Sequence, residues 1–236
     1  MKAIYKRELK SYFTSPIGYI FLAVFYFFEG NAFAEAYSYG SANITSVFFN
    51  ILTLVAVIFL TPVLTMRLLS EDRRQKVDQA LLTAPVGVTG IVLGKFLAAF
   101  TVYATAFIPT LIFQVIVSFK VTSLNWLIYL NSLLGVLLTG AALIAIGLAI
   151  SALTESQAIS CILTITAYAS LFAITYISEL TGVKFIISIA EYLAIFDLLV
   201  GFGDSIFHIT DAVYLISVAA LFIFFSVRAV ERRRWA

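Results

Sequence analysis

The sequence predicts an all-α integral membrane protein with six transmembrane helices. Of its 236 residues, 62% are hydrophobic and 12% are charged, and the mean hydropathy of +1.04 lies far above that of soluble domains. A membrane helix needs ~20 consecutive apolar residues, and the chain contains several such runs joined by short links. Its basic residues gather at both termini and in one internal stretch, which indicates a single helical domain with those parts on one side of the membrane.

Residues 1–15 are too polar to span a membrane, and their pattern predicts an amphipathic helix at the membrane surface. Tyr5, Leu9, Tyr12 and Phe13 recur at helical spacing, while the basic residues occupy another side. A cleavable signal peptide has a similar basic start, but the apolar run that follows here is longer than such peptides have. We therefore expect a retained interfacial helix.

The first span is expected from Pro16 to about Ala36, and it contains Glu29 and Glu35. At a rise of ~1.5 Å per residue, Glu29 lies roughly 20 Å along the helix from Pro16, within a hydrocarbon core of ~30 Å. A carboxylate at that depth is unfavourable unless it faces water or protein. Either these two glutamates line a pathway or cavity, or the helix ends early and Glu29 lies among the lipid headgroups.

Two prolines mark the next two spans. The second span is expected over about 47–69, with Pro62 loosening one of its last turns. The third is expected over about 91–118, and Pro109 near its middle predicts a kink. Because that proline lacks an N–H group, a neighbouring helix or water must bond to the carbonyl that it leaves free.

A fourth and a fifth span follow, the fourth with small residues at four-residue spacing that permit close helix packing. The next segment, 183–204, is apolar enough to span but contains Glu191 and Asp197. Both basic termini should face the cytoplasm, which requires an even number of crossings and places 13 of the 15 basic residues inside. We therefore expect 183–204 to be an outer re-entrant helical segment, with the sixth span from about Asp211 to Arg228.

The longest charged interruption of the sequence is residues 67–95, between the second and third spans. Ser70 begins a charged helical continuation that should stop before Pro85, because a residue preceding proline avoids the helical conformation. Leu81 and Leu82 lie together just before that break and would give the element an apolar tip. Such a tip can dock into a cleft on another protein. The alternative is a solvated loop whose leucines touch the membrane interface.

Within this stretch the elements follow a fixed order. An acidic pair comes first, then basic residues, then a pair of leucines, then Thr-x-Pro-Val, and finally Ile-Val-Leu-Gly-Lys at the start of the third span. This order resembles the permease subunits of type-2 ABC exporters, and most of all the branch containing the gliding-motility permeases and the permease used in nitrous-oxide reductase maturation. The matching positions are Glu71, Asp72, Leu81, Leu82, Thr83, Pro85, Val86, Gly94 and Lys95. Where these permeases commonly have Gly-Thr-Leu-Glu, the chain has Lys76, Val77, Asp78 and Gln79. Residues 5–20 also fit the branch, so the resemblance covers nearly the whole chain.

The resemblance implies a single permease domain over 1–236 in the cell membrane, driven by a separate ATPase subunit that binds ATP and Mg²⁺. It also implies a second permease copy, or a related permease, as a partner, and outer re-entrant helices. The residues that it assigns to contact with the ATPase are Glu71, Asp72, Asp78, Leu81, Leu82, Thr83 and Pro85.

No cofactor site is expected on this chain itself. Gly94 and Lys95 look like part of a phosphate-binding loop, but Thr89 occupies the position that requires glycine and Phe96 follows the lysine. We expect Lys95 instead to extend to the cytosolic headgroups. The few polar residues form no recognised catalytic or metal-binding arrangement, so an enzyme is not expected.

Three functions stay open at this point. The chain is a subunit of an ATP-driven exporter, or a mechanical or scaffolding subunit in which ATPase cycles act on an outer partner without moving a solute. The third function is an ion-coupled transporter or channel in which Glu29 and Glu35 carry ions or protons. The absence of an internal repeat or of paired broken helices in the sequence counts against the third.

Overall fold

A computed structural model describes residues 1–38, 45–76, 87–119, 126–181, 195–203 and 208–234 of the protein. These residues form helices joined by turns. The helices are α1 (Lys2–Thr14), α2 (Pro16–Ser38), α3 (Thr45–Phe48), α4 (Ile51–Thr65), α5 (Ser70–Arg74), α6 (Val88–Ala106), α7 (Ile108–Ser118), α8 (Trp126–Leu153), α9 (Gln157–Thr181), α10 (Ile195–Gly201) and α11 (Ile209–Arg234).

Six helical segments of the described chain are long and apolar enough to cross a membrane, as predicted. They are Pro16–Ser38, Ile51–Arg74, Val88–Ser118, Trp126–Leu153, Gln157–Ile174 and Ile209–Arg232. The first continues well past Glu29, so the alternative in which that helix ends early is wrong. The second begins later than expected because Asn50 caps α4, its side-chain oxygen accepting a 2.9 Å hydrogen bond from the N–H of Leu52.

The third span is broken where its proline predicts. Helix α6 ends at Ala106, Phe107 adopts a non-helical conformation, and Pro109 lies in the first turn of α7. The proline leaves the carbonyl of Thr105 without its usual helical donor. The hydroxyl of Tyr26, on α2, donates to that carbonyl oxygen at 3.1 Å. A neighbouring helix therefore supplies the missing bond.

Helix α8 lies at the centre of the bundle and packs against α4, α6, α9, α10 and α11. Its glycines admit side chains from neighbouring helices. A Cβ atom on Gly140 would lie 2.0 Å from the ring of Tyr103 in α6, and one on Gly147 would lie 2.4 Å from the hydroxyl oxygen of Thr65 in α4. At these two positions side chains of α6 and α4 lie against the α8 backbone, so the space that the glycines leave is filled by side chains.

The segment predicted to be re-entrant is described over 195–203. Helix α10 packs against α8 and α9. The buried side chain of Phe202 fills the space beside Gly135, where an added Cβ atom would lie 2.5 Å from the Phe202 ring. The hydroxyl of Ser132 donates to the carbonyl oxygen of Phe202 at 3.3 Å. The rest of the segment, including Glu191, lies outside the described residues.

Candidate coupling site at the charged end of the bundle

The charged continuation of the second span is a short helix set off by turns. Helix α4 ends at Thr65, and α5 begins at Ser70, as predicted, but ends at Arg74. The backbone of Lys76 has a φ of 56°, in the left-handed region, which terminates the helix. The helix beginning at Ser70 therefore stops before Pro85, as expected, but after only five residues, and residues 77–86 lie outside the described part of the chain.

Ser151, on α8, joins the two helices at this turn. Its hydroxyl oxygen accepts hydrogen bonds from the N–H groups of Leu69 and Ser70, both at 3.1 Å. The same hydroxyl donates to the carbonyl oxygen of Met66 at 3.2 Å. One side chain thus satisfies backbone groups that the interruption between α4 and α5 leaves without helical partners.

Four charged side chains from three helices form an ion cluster, in which Lys95 is buried, Glu8 and Asp72 are mostly covered and Arg7 is exposed. The Lys95 ammonium lies 3.1 Å from Glu8 Oε1 and 2.7 Å from Asp72 Oδ2. The Arg7 guanidinium bonds to Glu8 and lies 3.8 Å from Asp72 Oδ2. The Lys95 side chain is only 1% exposed. The prediction that it extends to the headgroups is wrong, because two carboxylates hold it inside the protein.

The ion cluster keeps Glu8 ionised. Burial by itself would raise the pKa of the Glu8 carboxyl, but the attraction of Lys95 and the hydrogen bond from Arg7 outweigh it and lower that pKa. The converse holds for Arg7, whose pKa is raised by Glu8 against the opposing effect of burial. Two positive and two negative groups therefore balance one another, with Lys95 buried among them and Arg7 on the exposed side.

Arg67 makes a second connection between α1 and the beginning of the 67–95 stretch. Its guanidinium donates to the hydroxyl oxygens of Ser15, at 2.9 Å, and Ser11, at 2.6 Å. It lies 3.0 Å from Glu71 Oε2 and 5.3 Å from the centre of the Tyr12 ring. The polar side of α1 is therefore bonded to residues around α5.

A third connection links α5 to the turn between α8 and α9. The guanidinium of Arg73 forms an ion pair with Glu155 and donates to the carbonyl oxygen of Leu153 at 3.4 Å. Together with Ser151 and the ion cluster, this contact holds α5 against α1, α6 and α8. A displacement of α5 would therefore be transmitted to several helices of the bundle.

The structure brings together some of the residues that the sequence assigns to ATPase contact. Glu71 and Asp72 both pair with basic residues of the same chain. The others, Asp78, Leu81, Leu82, Thr83 and Pro85, lie outside the described residues.

The two glutamates considered as pathway residues have different surroundings. Glu29 is completely buried, and neither of its carboxyl oxygens has a hydrogen-bond partner in the described part of the chain. Glu35 is exposed, and its Oε2 accepts a 3.1 Å hydrogen bond from the amide of Asn50. Only Glu29 faces the interior of the bundle.

Sequence reasoning missed the residues that complete the site, above all Glu8, Arg67 and Ser151. Glu8 carries a usable signal, since it is the only acidic residue of α1 and lies among basic ones. Ser151 carries none, because a serine near the end of an apolar helix has many possible roles.

Comparison with protein-family models, with curated proteins and with solved structures found no match in any of the three.

Proposed function

We propose that the protein is the permease subunit of an ATP-driven exporter of the type-2 ABC class. In this proposal residues 67–95 couple a separate ATPase subunit to the membrane helices. The observation that carries the proposal is the contact between Asp72, near the beginning of this stretch, and Lys95, at its end. That ion pair closes the base of the stretch and, through Glu8, fastens it to α1. A force applied to the residues between Asp72 and Lys95 would then reach the membrane helices through the ion pairs of Lys95 with Asp72 and Glu8.

The backbone at Lys76 supports the same proposal. Its φ of 56° is a conformation that glycine adopts readily and other residues adopt rarely. The permeases that the sequence resembles commonly have glycine at this position. If this chain and those permeases share the same backbone path, the turn should have a conformation that suits glycine at this position. Lys76 has that conformation, although it is not glycine.

The charged end of the bundle would face the cytoplasm in this proposal. Helix α1 would lie along the inner membrane surface, and both termini would be cytoplasmic. The arrangement of α6 and α11 supports this orientation, because Thr89 and Arg228 line one groove and so bring the start of α6 beside the basic end of α11. The 183–204 segment would then lie on the outer side of the cell membrane.

The complete transporter would contain two permeases, identical or related, and two ATPase subunits carrying ATP and Mg²⁺. Leu81 and Leu82 would contact the ATPase, flanked by Asp78, Thr83 and Pro85. Glu71 and Asp72, which are engaged within this chain, would contribute by holding the base of the stretch. ATP hydrolysis would move this stretch and open a path between facing helices.

The ion-coupled alternative draws less support from the two glutamates. In this conformation Glu29 has no exposed surface through which an ion could reach it, and Glu35 is bonded to Asn50. A mechanical role without solute movement is separated from export by an assay of ATP-dependent transport in proteoliposomes.

The coupling role is tested by replacing both leucines with aspartate, Leu81→Asp and Leu82→Asp together. We expect the variant to insert in the membrane but to lose copurification with the ATPase that accompanies the wild-type protein from native membranes. Stimulation of that ATPase by the permease should be lost as well, because two charged groups cannot enter an apolar cleft.

The matched control is the pair Leu81→Met and Leu82→Met, which keeps the apolar character and should keep both properties. Survival of copurification and stimulation in the aspartate variant would show that this stretch is not the coupling element.

A further inference from the structure

Glu29 lies in a buried, mainly aromatic part of the bundle. It shares the inward face of α2 with Phe25 and Ala32, one turn to either side, and all three side chains are buried. The Phe25 ring lies 5.1 Å from the ring of Phe107 and 6.4 Å from the ring of Tyr103. The carboxyl group of Glu29 is therefore surrounded chiefly by apolar side chains.

The tyrosines near Glu29 do not supply a hydrogen bond to it. Tyr26 and Tyr103 are close enough for the charge of the carboxylate to act on them. The hydroxyl of Tyr26 donates to Thr105 O at 3.1 Å, and that of Tyr103 donates to Val136 O at 3.3 Å. Their single protons are thus already committed to carbonyl oxygens.

A third tyrosine within electrostatic range, Tyr129, is committed in the same way. It forms a 3.0 Å hydrogen bond with the hydroxyl of Thr110. Thr110 donates its own proton to the carbonyl oxygen of Phe107 at 2.6 Å. Tyr129 must therefore be the donor to Thr110, and no proton is left for Glu29.

The described helices that pack against α2, which are α1, α3, α4, α6 and α7, bring no positive charge to Glu29 either. Helices α3, α4 and α7 contain no ionisable side chain, and α6 contains only Tyr103 and Lys95. Lys95 is held in the ion cluster. The charged residues of α1 lie near the other end of α2, where α1 packs at Gly18, about 16 Å along the helix from Glu29.

We infer that Glu29 is a proton-binding site, which keeps its proton in this conformation and releases it when the bundle opens far enough to admit water. An ionised carboxylate without a partner is strongly disfavoured in such an interior, whereas the neutral acid is tolerated. On hydration the O–H bond breaks, the proton passes to a water molecule to give hydronium, and the carboxylate remains, now solvated. Opening of the bundle is therefore linked to proton release. This inference does not depend on coupling to an ATPase.

Infrared spectroscopy of the purified protein in lipid nanodiscs at pH 7 tests the inference directly. A protonated carboxyl has a carbonyl stretch distinct from the two stretches of a carboxylate. We expect that band in the wild type, its loss in Glu29→Gln, and a shifted band in Glu29→Asp, which retains an acid. The matched control, Glu35→Gln, alters an exposed glutamate of the same helix and should leave the band unchanged.

The infrared spectrum of Glu29→Gln is subtracted from that of the wild type. If the difference spectrum contains the two carboxylate stretches instead of the carbonyl stretch of a protonated acid, Glu29 is ionised and the inference is overturned. A second measurement covers the case in which the glutamine variant does not insert. In wild-type protein labelled with ¹³C-glutamate the band must move to lower frequency, and in labelled Glu29→Asp protein the moved band must disappear. A band that does not move with the label would equally rule out Glu29 as its source.

Discussion

The ion cluster and Glu29 show two different ways of placing an ionisable side chain where water is excluded. Lys95 is 1% exposed and Glu29 is 0% exposed. Lys95 meets the carboxylates of Glu8 and Asp72, contributed by two other helices, whereas Glu29 meets no charged partner in the described structure. Pairing preserves the charge and ties helices together, while isolation favours the neutral form. The first arrangement suits an anchor, and the second suits a group that responds to hydration.

The two regions also differ in how far their effects extend. In the ion cluster Lys95 joins carboxylates from two other helices, so removing it leaves the mostly covered Glu8 and Asp72 with only the exposed Arg7 nearby. Glu29 has no such partners in the described part of the chain, so a neutral side chain of the same shape in its place leaves no described charged group without a partner. Substitutions and pH should therefore affect the two regions unequally.

The largest effect is expected for Lys95→Met, which removes the central cation of the cluster. The carboxylates of Glu8 and Asp72 would lose their common partner, and breaking a buried ion pair in this way typically costs about 3–5 kcal/mol. Unfolding in mixed detergent micelles, followed by circular dichroism, would measure the lost free energy of unfolding.

Two further variants serve as a control and as a test of the cause of the lost stability. Lys10→Met, at an exposed position of α1, should unfold as the wild type does. Adding Glu8→Gln and Asp72→Asn to Lys95→Met should recover much of the loss, because no stranded carboxylate then remains. Wild-type stability in Lys95→Met alone would show that the cluster does not anchor these helices.

A smaller effect is expected when the wild-type protein is acidified. The pKa of Glu8 is lower in the folded protein than in the unfolded chain, so its stabilising contribution is present above the unfolded value of about 4.3 and is lost as the pH falls through the folded value. The hydrogen bonds that protonation weakens are worth about 1.5–3 kcal/mol. Unfolding measurements from pH 6 to pH 3 should show this loss.

The Glu8→Gln variant should have a flatter pH profile over the same range, because it cannot titrate at that position. Glu35→Gln, changed at a glutamate remote from the cluster, should retain the wild-type slope. Identical profiles for wild type and Glu8→Gln would mean that Glu8 does not contribute to the acid sensitivity.

The smallest effect is expected for Glu29→Gln at neutral pH. If Glu29 is already neutral, the substitution exchanges one uncharged polar group for another of similar volume, and the free energy of unfolding should change by less than about 1 kcal/mol. Glu8→Gln, measured in the same micelles, should lose more because it breaks bonds to two cations. A loss at Glu29 as large as that at Glu8 would contradict the contrast between the two regions.

Much of the architecture could be predicted from local sequence because the bilayer imposes a simple requirement on length and polarity. Runs of apolar residues identified the six helices, and Pro109 identified the break in the third span together with the need for an outside donor. The sequence did not indicate that Tyr26 is that donor, since it lies 79 residues away along the chain.

The candidate site was less predictable for the same reason. Lys95 was expected at the headgroups because a long basic side chain near a helix end often extends there. Its carboxylate partner Glu8 lies 87 residues away, on a helix whose position depends on packing. Pro85 set only an outer limit for the helix beginning at Ser70, which ends at Arg74 and is followed by a left-handed turn at Lys76.

The sequence by itself determined the membrane class, the number of apolar helices and the position of the charged interruption, because hydrophobic length and charge are local properties. Only the tertiary structure decided that Asp72 and Lys95 close the base of that interruption, and that Glu29 is enclosed with no hydrogen-bond partner among the described residues while Glu35 is exposed. These outcomes depend on which faces of distant helices meet. Helix periodicity alone cannot specify that choice when nearly every face is apolar.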